Sequence, residues 1–355
     1  MKNMNNDYFK RVSRLTPTKF WINNVTREEA LLAIEHGAVG CTQNPSYTWK
    51  MLTHSTEGEY TKRLLMETLS ESDDPNEVQC ILQRKLVKKV AEIFLPLYES
   101  TNGEHGYVSI QGDPIHEEDP EVIITEGRLN REMGPNVMIK IPATRAGLHA
   151  MDILISENTP INATEVMGLS QALDICNMYE RISGKTGKKP KIYYSLITGI
   201  FDEYITKWAS ENKIDISPDI LYMAGMAVAK KTYQITKSKW PEIGYIGGGV
   251  RGLHHFTEMV GADVCITMNW QGQAEELLRI DNPVVPRFFN PIPELFIDEL
   301  LEKVSEFKRA YNINGLSAHE YEEYGPVDYF RQLFIKSWQD ALNIIIEVQQ
   351  SVRVS

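Results

Sequence analysis

Cysteine is scarce. Four stand in 355 residues, Cys41, Cys80, Cys176 and Cys265, with no C-x-x-C pair and no histidine at a zinc-ligand spacing from any of them. That argues against a disulfide framework or a zinc module and fits reduced, buried thiols. Long hydrophobic runs are missing too: no stretch reaches the ~18 apolar residues of a spanning helix. The polar start, 1–14, lacks the apolar segment of a secretory signal, so the expectation is a soluble, cytoplasmic protein. Positive charge is in deficit. Lys and Arg number 37 against 48 Asp and Glu, a net charge of −11, which disfavours nucleic acid and anionic membranes as partners. A local arginine could still hold a phosphate-bearing metabolite. Neither internal repeats nor low-complexity tracts occur.

What is present is an ordinary globular composition, 42% hydrophobic and 24% charged, in a length that suits one α/β barrel of about 250 residues with additions. A short apolar run, a turn and a helical pattern recur along the chain. The runs are 18–23 (TKFWIN), 38–43 (AVGCTQ), 106–111 (GYVSIQ), 136–141 (NVMIKI), 159–164 (TPINAT), 190–196 (PKIYYSL), 243–248 (IGYIGG) and 263–268 (DVCITM). Several are apolar through most of their length, as parallel strands covered on both faces must be. Eight such units predict a closed (β/α)8 TIM barrel.

Between them, Thr26 and Glu29 form a capping box, and Gly37 stops that helix. Ser217 and Pro218 open another helix, and Gly261 ends one beginning near Arg251. Two stretches exceed a plain barrel: a helical insertion after the second strand, interrupted at 72–76 (SDDPN), and a C-terminal helical extension. The extension should contain a Pro-rich crossing at 282–293, an amphipathic helix at 294–311 and a last helix at about 327–352. The chain is thus expected to form one domain over 1–355, with a core at about 18–275 and the extension at about 276–355.

Barrel enzymes place their active sites at the carboxyl ends of the strands. Here those ends are polar: Asn23, Gln43 with Asn44, Gln111, Lys140, Asn162 with Thr164, Ser195, and 247–249. Lys140 is the one charge in the carboxyl half of a strand, since Lys19, Lys191 and Asp263 stand at strand starts. It is either a strand-end lysine reaching solvent or a carboxylate, or an amine whose pKa is lowered by desolvation, leaving a neutral fraction able to attack a ketone.

The run 136–144 (NVMIKIPAT), followed by Gly147 and Leu148, resembles the transaldolase motif around the Schiff-base lysine of the fourth strand. Asn162-Ala163-Thr164 resembles that family's N-x-T strand, and Thr42-Gln43-Asn44-Pro45 its T-x-N-P turn. The third-strand motif is matched by 108–114 (VSIQGDP). The matches run from about Phe20 to Asn269. The resemblance implies a cofactor-free and metal-free class I mechanism in carbohydrate metabolism, on the side of the pentose phosphate pathway. Lys140 would attack a ketose or ketose phosphate, the iminium would accept electrons, and a dihydroxyacetone unit would be released or transferred. Asn44 and Asn162 would orient the donor hydroxyls, and Thr164 would help move protons. Each is also a common turn or strand-end residue.

The chain departs from the family pattern at both ends of the site. Asn23 stands where a transaldolase carries Asp, and Gln111 where it carries Glu, and neither amide can act as a general base. Gln111 matches the fructose-6-phosphate aldolase branch, but Met167 replaces that branch's tyrosine. Glu165, Asp113 and Tyr194 are therefore candidate proton carriers, although strand alternation would turn Glu165 away from Lys140. Near the phosphate end Ser195 is kept, Ile200 replaces one arginine, and Arg251 retains the other. Gly249 and its neighbours, leading into a helix N-terminus, suit an anion, although a tight turn with a solvent-facing Arg251 fits as well. Arg145 is the fallback anchor.

Three other readings compete. Residues 247–252 satisfy G-x-G-x-x-G, but late in the chain and without a ribose-binding acid after the next strand. The run 184–188 (GKTGK) follows a helix and precedes a strand, the reverse of a phosphate loop. The stronger rival is a catalytically impaired or repurposed barrel that binds a sugar. Self-association into a homo-oligomer is left open.

Overall fold

The computed structural model describes residues 7–354; the polar start 1–6 lies outside them. Eight parallel strands close into a barrel in sequence order: β1 Lys19–Asn23, β2 Ala38–Gln43, β3 Tyr107–Ile110, β4 Val137–Pro142, β5 Ile161–Val166, β6 Ile192–Leu196, β7 Gly244–Gly247 and β8 Cys265–Met268. Closure is made by β1 on β8, with Lys19 opposite Cys265 and Ile22 opposite Met268. All eight expected strands are present, offset by at most two residues at their ends. The Thr26–Glu29 capping box forms with both hydrogen bonds, and Gly37 turns the chain at a φ of 95°.

The barrel interior is layered. Trp21, Tyr107, Met138, Tyr193 and Ile246 form an apolar plug, with the Trp21 and Tyr193 rings 5.3 Å apart. A Cβ on Gly40 would lie 2.3 Å from the Trp21 indole, so the plug needs glycine there. Side chains alternate along a strand. Two residues beyond the plug, the inward face therefore reads Asn23, Ser109, Lys140, Ser195 and Gly248, a polar layer on an apolar base.

The insertion after β2 consists of helices Tyr47–Thr53, Gly58–Thr68 and Pro75–Ser100, the last capped by Asp74. The extension departs from expectation in one place. The span 294–311 is two helices, Glu294–Lys303 and Ser305–Tyr311, because Val304 is extended and fully buried between them. Two further helix starts are shorter than expected. Ser217 caps only the turn Pro218–Leu221, before helix Ala224–Lys239. After Arg251 there is only His254–Thr257, with Gly261 ending the turn at a φ of 112°.

The last helix, Gly325–Val354, returns across the insertion, and Trp338 Nε1 donates to Asn76 Oδ1 at 2.7 Å. It brings Phe330, Arg331 and Phe334 to the strand ends. Cys41, Cys80 and Cys176 are buried, and burial pushes their thiols up. No helix among the described residues is long and apolar enough to cross a membrane.

Candidate active site

Every residue of β4 is buried, and Lys140 retains only 6% exposure. It sits opposite Asn162 of β5, with its Nζ 5.5 Å from the Phe334 ring centroid. Desolvation pushes its ammonium pKa down, and the charges of Glu165 and Glu117 pull it back up. The amine opens on a narrow cavity of about 80 Å³ lined by Asn23, Asn44, Thr164, Ser195, Gly249 and Arg251, with Phe330 above. Asn162 lies just beneath: its Oδ1 accepts from Ser195 Oγ at 2.7 Å and its Nδ2 donates to Ser109 Oγ at 3.2 Å. Gln111 is on the other side of Lys140, in a smaller cavity of about 30 Å³ shared with Glu117 and Asp113.

The amides are held firmly. Asn23 Oδ1 accepts from Thr42 Oγ1 at 2.8 Å, and its Nδ2 donates to Asn269 Oδ1 at 2.9 Å. The turn after β2 is tied by Asn24, whose Oδ1 accepts the Asn44 N–H at 3.0 Å while Ser46 Oγ donates to Asn44 Oδ1 at 3.2 Å. Asn24 has a φ of 45°, a conformation Asn tolerates better than most residues. Gln111 Nε2 donates to Glu165 Oε1 at 2.7 Å.

Glu165 overturns the expectation from strand alternation. The β5–β6 register shifts between Ala163 and Val166, and Glu165 takes a φ of 58°. This β-bulge re-aims the side chain into the buried network beside Lys140. Gln171 holds the kink: its Nε2 donates to the carbonyls of Glu165 and Ala143, and its Oε1 accepts the Met167 N–H. Glu165 is fully buried, and desolvation raises its pKa against the pull of Gln111, Lys140 and Arg331. Glu117 is raised well above the usual carboxylate range by burial and by the charge of Glu165, with Arg331 opposing.

Thr164 Oγ1, Gln111 Oε1, Glu117 Oε1 and Glu165 Oε2 are buried without a hydrogen-bonding partner among the described residues. Buried polar atoms of this kind mark a place for a polar guest.

Two proton-carrier candidates do not line the larger cavity, with Asn23 and Ser195, onto which the amine opens. Asp113 is committed to its loop, accepting from Asn76 Nδ2 at 2.7 Å and Ile115 N at 2.7 Å and facing His116 Nδ1. Tyr194 faces the helix layer, stacked on Tyr245 with its hydroxyl 2.7 Å from Thr236 Oγ1. Glu117, Arg331, Phe330 and Phe334 carry no motif and were invisible in the sequence; they arrive from the β3 loop and from the far end of the chain.

At the rim, Gly249 has a φ of 64°, and a Cβ there would lie 2.5 Å from Ile197 Cγ2. Arg251 is 42% exposed and ion-paired with Glu203, whose carboxylate also accepts from the Tyr329 hydroxyl. The helix dipole expected to assist it is missing, since the helix that follows has a single turn. Ile200 is completely buried. Arg145 opens on a separate cleft with His149, His319 and Arg331, and Glu322 accepts its backbone N–H at 2.8 Å. It does not line the Lys140 cavity.

Behind Arg251, Asp202, His254 and His255 bring three metal-capable side chains together. His255 is already committed: its Nδ1 accepts the N–H groups of Arg251 and Gly252, which leaves Nε2 to donate to Asp202 Oδ2 at 2.9 Å.

Residues 20–277 match the model of the transaldolase/fructose-6-phosphate aldolase family. Among curated proteins the chain is similar to Transaldolase 1 of Streptomyces avermitilis, at 30% identity over 45% of this chain and 43% of that one. It is 26% identical to a transaldolase of Thiobacillus denitrificans over 63% of this chain and 66% of that one. A transaldolase of Trichodesmium erythraeum is also 26% identical, over 78% and 77%. The match thus spans less than two thirds of the length of the first two relatives.

Proposed function

Because the chain belongs to the transaldolase/fructose-6-phosphate aldolase family, we propose that it is a class I aldol enzyme in which Lys140 forms a Schiff base with a ketose or ketose phosphate. The observation that carries this reading is a single desolvated amine at the end of β4, opening on a small polar cavity. Desolvation favours the neutral amine, which attacks the carbonyl carbon. Loss of water gives an iminium, and the bond between the third and fourth carbons breaks toward it. The enamine of dihydroxyacetone then meets water or an aldehyde acceptor. Asn44, Asn162 and Ser195 offer donors and acceptors for the hydroxyls of the three-carbon unit, and Thr164, lining the same cavity as Lys140, helps move protons. Arg251 and the backbone near Gly249 hold the distal anionic group.

The test is reduction of the Schiff base. Borohydride added with dihydroxyacetone or fructose 6-phosphate is expected to leave a stable mass on the peptide containing Lys140, and Lys140→Met should abolish it. Labelling elsewhere, or none with either ketone, would falsify this mechanism. Asn23 favours a second reading, a barrel that binds a sugar but turns it over poorly. Saturable binding and a Lys140 adduct without release of an aldehyde product would favour that reading.

A further inference from the structure

Making an iminium on Lys140 and then breaking a carbon–carbon bond both require proton transfers that an amine cannot manage alone. The departing hydroxyl must receive a proton, and the hydroxyl on the carbon that becomes an aldehyde must lose one. Two residues facing the amine, Asn23 and Gln111, are amides and can do neither. The carboxyl groups whose charges act on Lys140 are Glu165 and Glu117. Of these, Glu165 is held by a costly arrangement. A non-glycine residue in the left-handed region and a fully buried carboxyl both work against stability. Its Oε1 is fixed by Gln111 and its backbone by Gln171, while Oε2 has no hydrogen-bonding partner among the described residues.

We infer that Glu165, delivered by the β5 bulge and steered by Gln111, is the proton carrier of the Lys140 reaction. This rests on the Schiff-base reading above. In the forward direction the amine adds to the carbonyl carbon, and a proton passes from nitrogen to the former carbonyl oxygen. Protonated Glu165 then gives its proton to that hydroxyl, which leaves as water while the nitrogen lone pair forms the iminium. Glu165 is now a carboxylate. It takes the proton of the hydroxyl on the fourth carbon as the carbon–carbon electron pair moves to the iminium, yielding the enamine and an aldehyde. One carboxyl therefore serves as acid and then as base, directly or through one water, and returns protonated. The charged and titratable groups around it are Lys140 on β4, Glu117 in the loop after β3, which in turn feels Asp113, and Arg331 on the last helix, itself paired with Glu118 and Asp328.

Glu165→Gln keeps an oxygen for the Gln111 amide and removes only the ionisable group. With dihydroxyacetone as probe and timed trapping by cyanoborohydride, it should slow adduct formation on Lys140 by about 10²–10⁴-fold. The final extent of labelling should stay complete, and the variant should lose a pH limb that the wild type shows above the ordinary carboxylate range. Glu165→Ala is the second variant, and added formate should accelerate its adduct formation. A folded variant of either kind that reacts at the wild-type rate with the wild-type pH profile, and without any gain from formate, overturns the assignment and leaves Lys140 intact as nucleophile. Absence of the adduct in the wild type itself would instead remove the Schiff-base reading on which the inference stands.

Discussion

At the floor of the cavity, around Lys140, the polar groups are largely buried and tied to a neighbour: Asn23 to Thr42 and Asn162 to Ser195 on adjacent strands, and Gln111, just past β3, to Glu165 on β5. At the rim, Arg251 is nearly half exposed, projects from a loop, and is paired with Glu203 of helix Thr198–Glu211. The floor is a low-dielectric region in which one proton or one hydrogen bond changes a great deal. The rim is a solvated region in which a charge is screened and replaceable. Chemistry belongs to the first and recognition to the second, and substitutions at the two levels should differ in kind as well as size.

The largest effect is expected at the floor. Asn23 is a neutral amide that cannot act as a general base, so transfer from fructose 6-phosphate to erythrose 4-phosphate should be slow in the wild type. Asn23→Asp should raise that rate by about 10²-fold or more, the usual worth of a positioned acid–base group. The new carboxylate would keep the hydrogen bond from Thr42, and the Asn269 amide could turn over to donate to it. The gain would come from relieving Glu165 of one of its two proton transfers; an unchanged rate in steady-state assays would mean that Glu165, carrying both, is not limited by sharing them.

A smaller, selective effect is expected at the rim. Removing a charge-assisted contact costs about 1.5–3 kcal/mol, or about 10–150-fold in affinity. Because Arg251 is exposed and shared with Glu203, the lower end applies: Arg251→Ala should raise KM for an anionic ketose about 10-fold and leave dihydroxyacetone unaffected. Glu203→Gln should act in the opposite direction, freeing the guanidinium for the ligand. Equal losses for the neutral and anionic substrates would show that Arg251 supports the β7 loop.

The two levels also differ in how far they could be read from sequence. Strands buried on both faces must be apolar runs, so β1 to β8 stood out, and a lone lysine in such a run drew attention to Lys140. The floor residues carried on strand ends followed from the same periodicity. Glu165 did not, because a bulge inserts one residue and reverses the rule that assigned it outward. Glu117 and Arg331 meet only once the last helix has crossed the barrel mouth, and no spacing encodes that meeting. The rim was misread for a related reason: the short turn at His254–Thr257 removes the dipole that a longer helix would have brought to Arg251.

The smallest effect sharpens the comparison most directly, because it asks whether the floor is as desolvated as its geometry implies. Burial and the charge of Glu165 raise the Glu117 pKa above its unfolded value, while Arg331 pulls the other way. A carboxyl whose pKa is raised by folding binds its proton more tightly in the native state. Its contribution to stability is therefore fully present below the ordinary glutamate pKa and is lost as pH rises through the folded value. Glu117→Gln removes that titration without removing the bulk. In urea unfolding, the variant's stability relative to the wild type should therefore become more favourable on going from acidic to mildly alkaline pH, by on the order of 1 kcal/mol. The comparison breaks if the trend runs the other way. Relative stability falling with rising pH would mean that Glu117 is an ionised partner of Arg331 at neutral pH, and that the floor is solvated enough to carry an ordinary ion pair, as the rim does at Arg251 and Glu203.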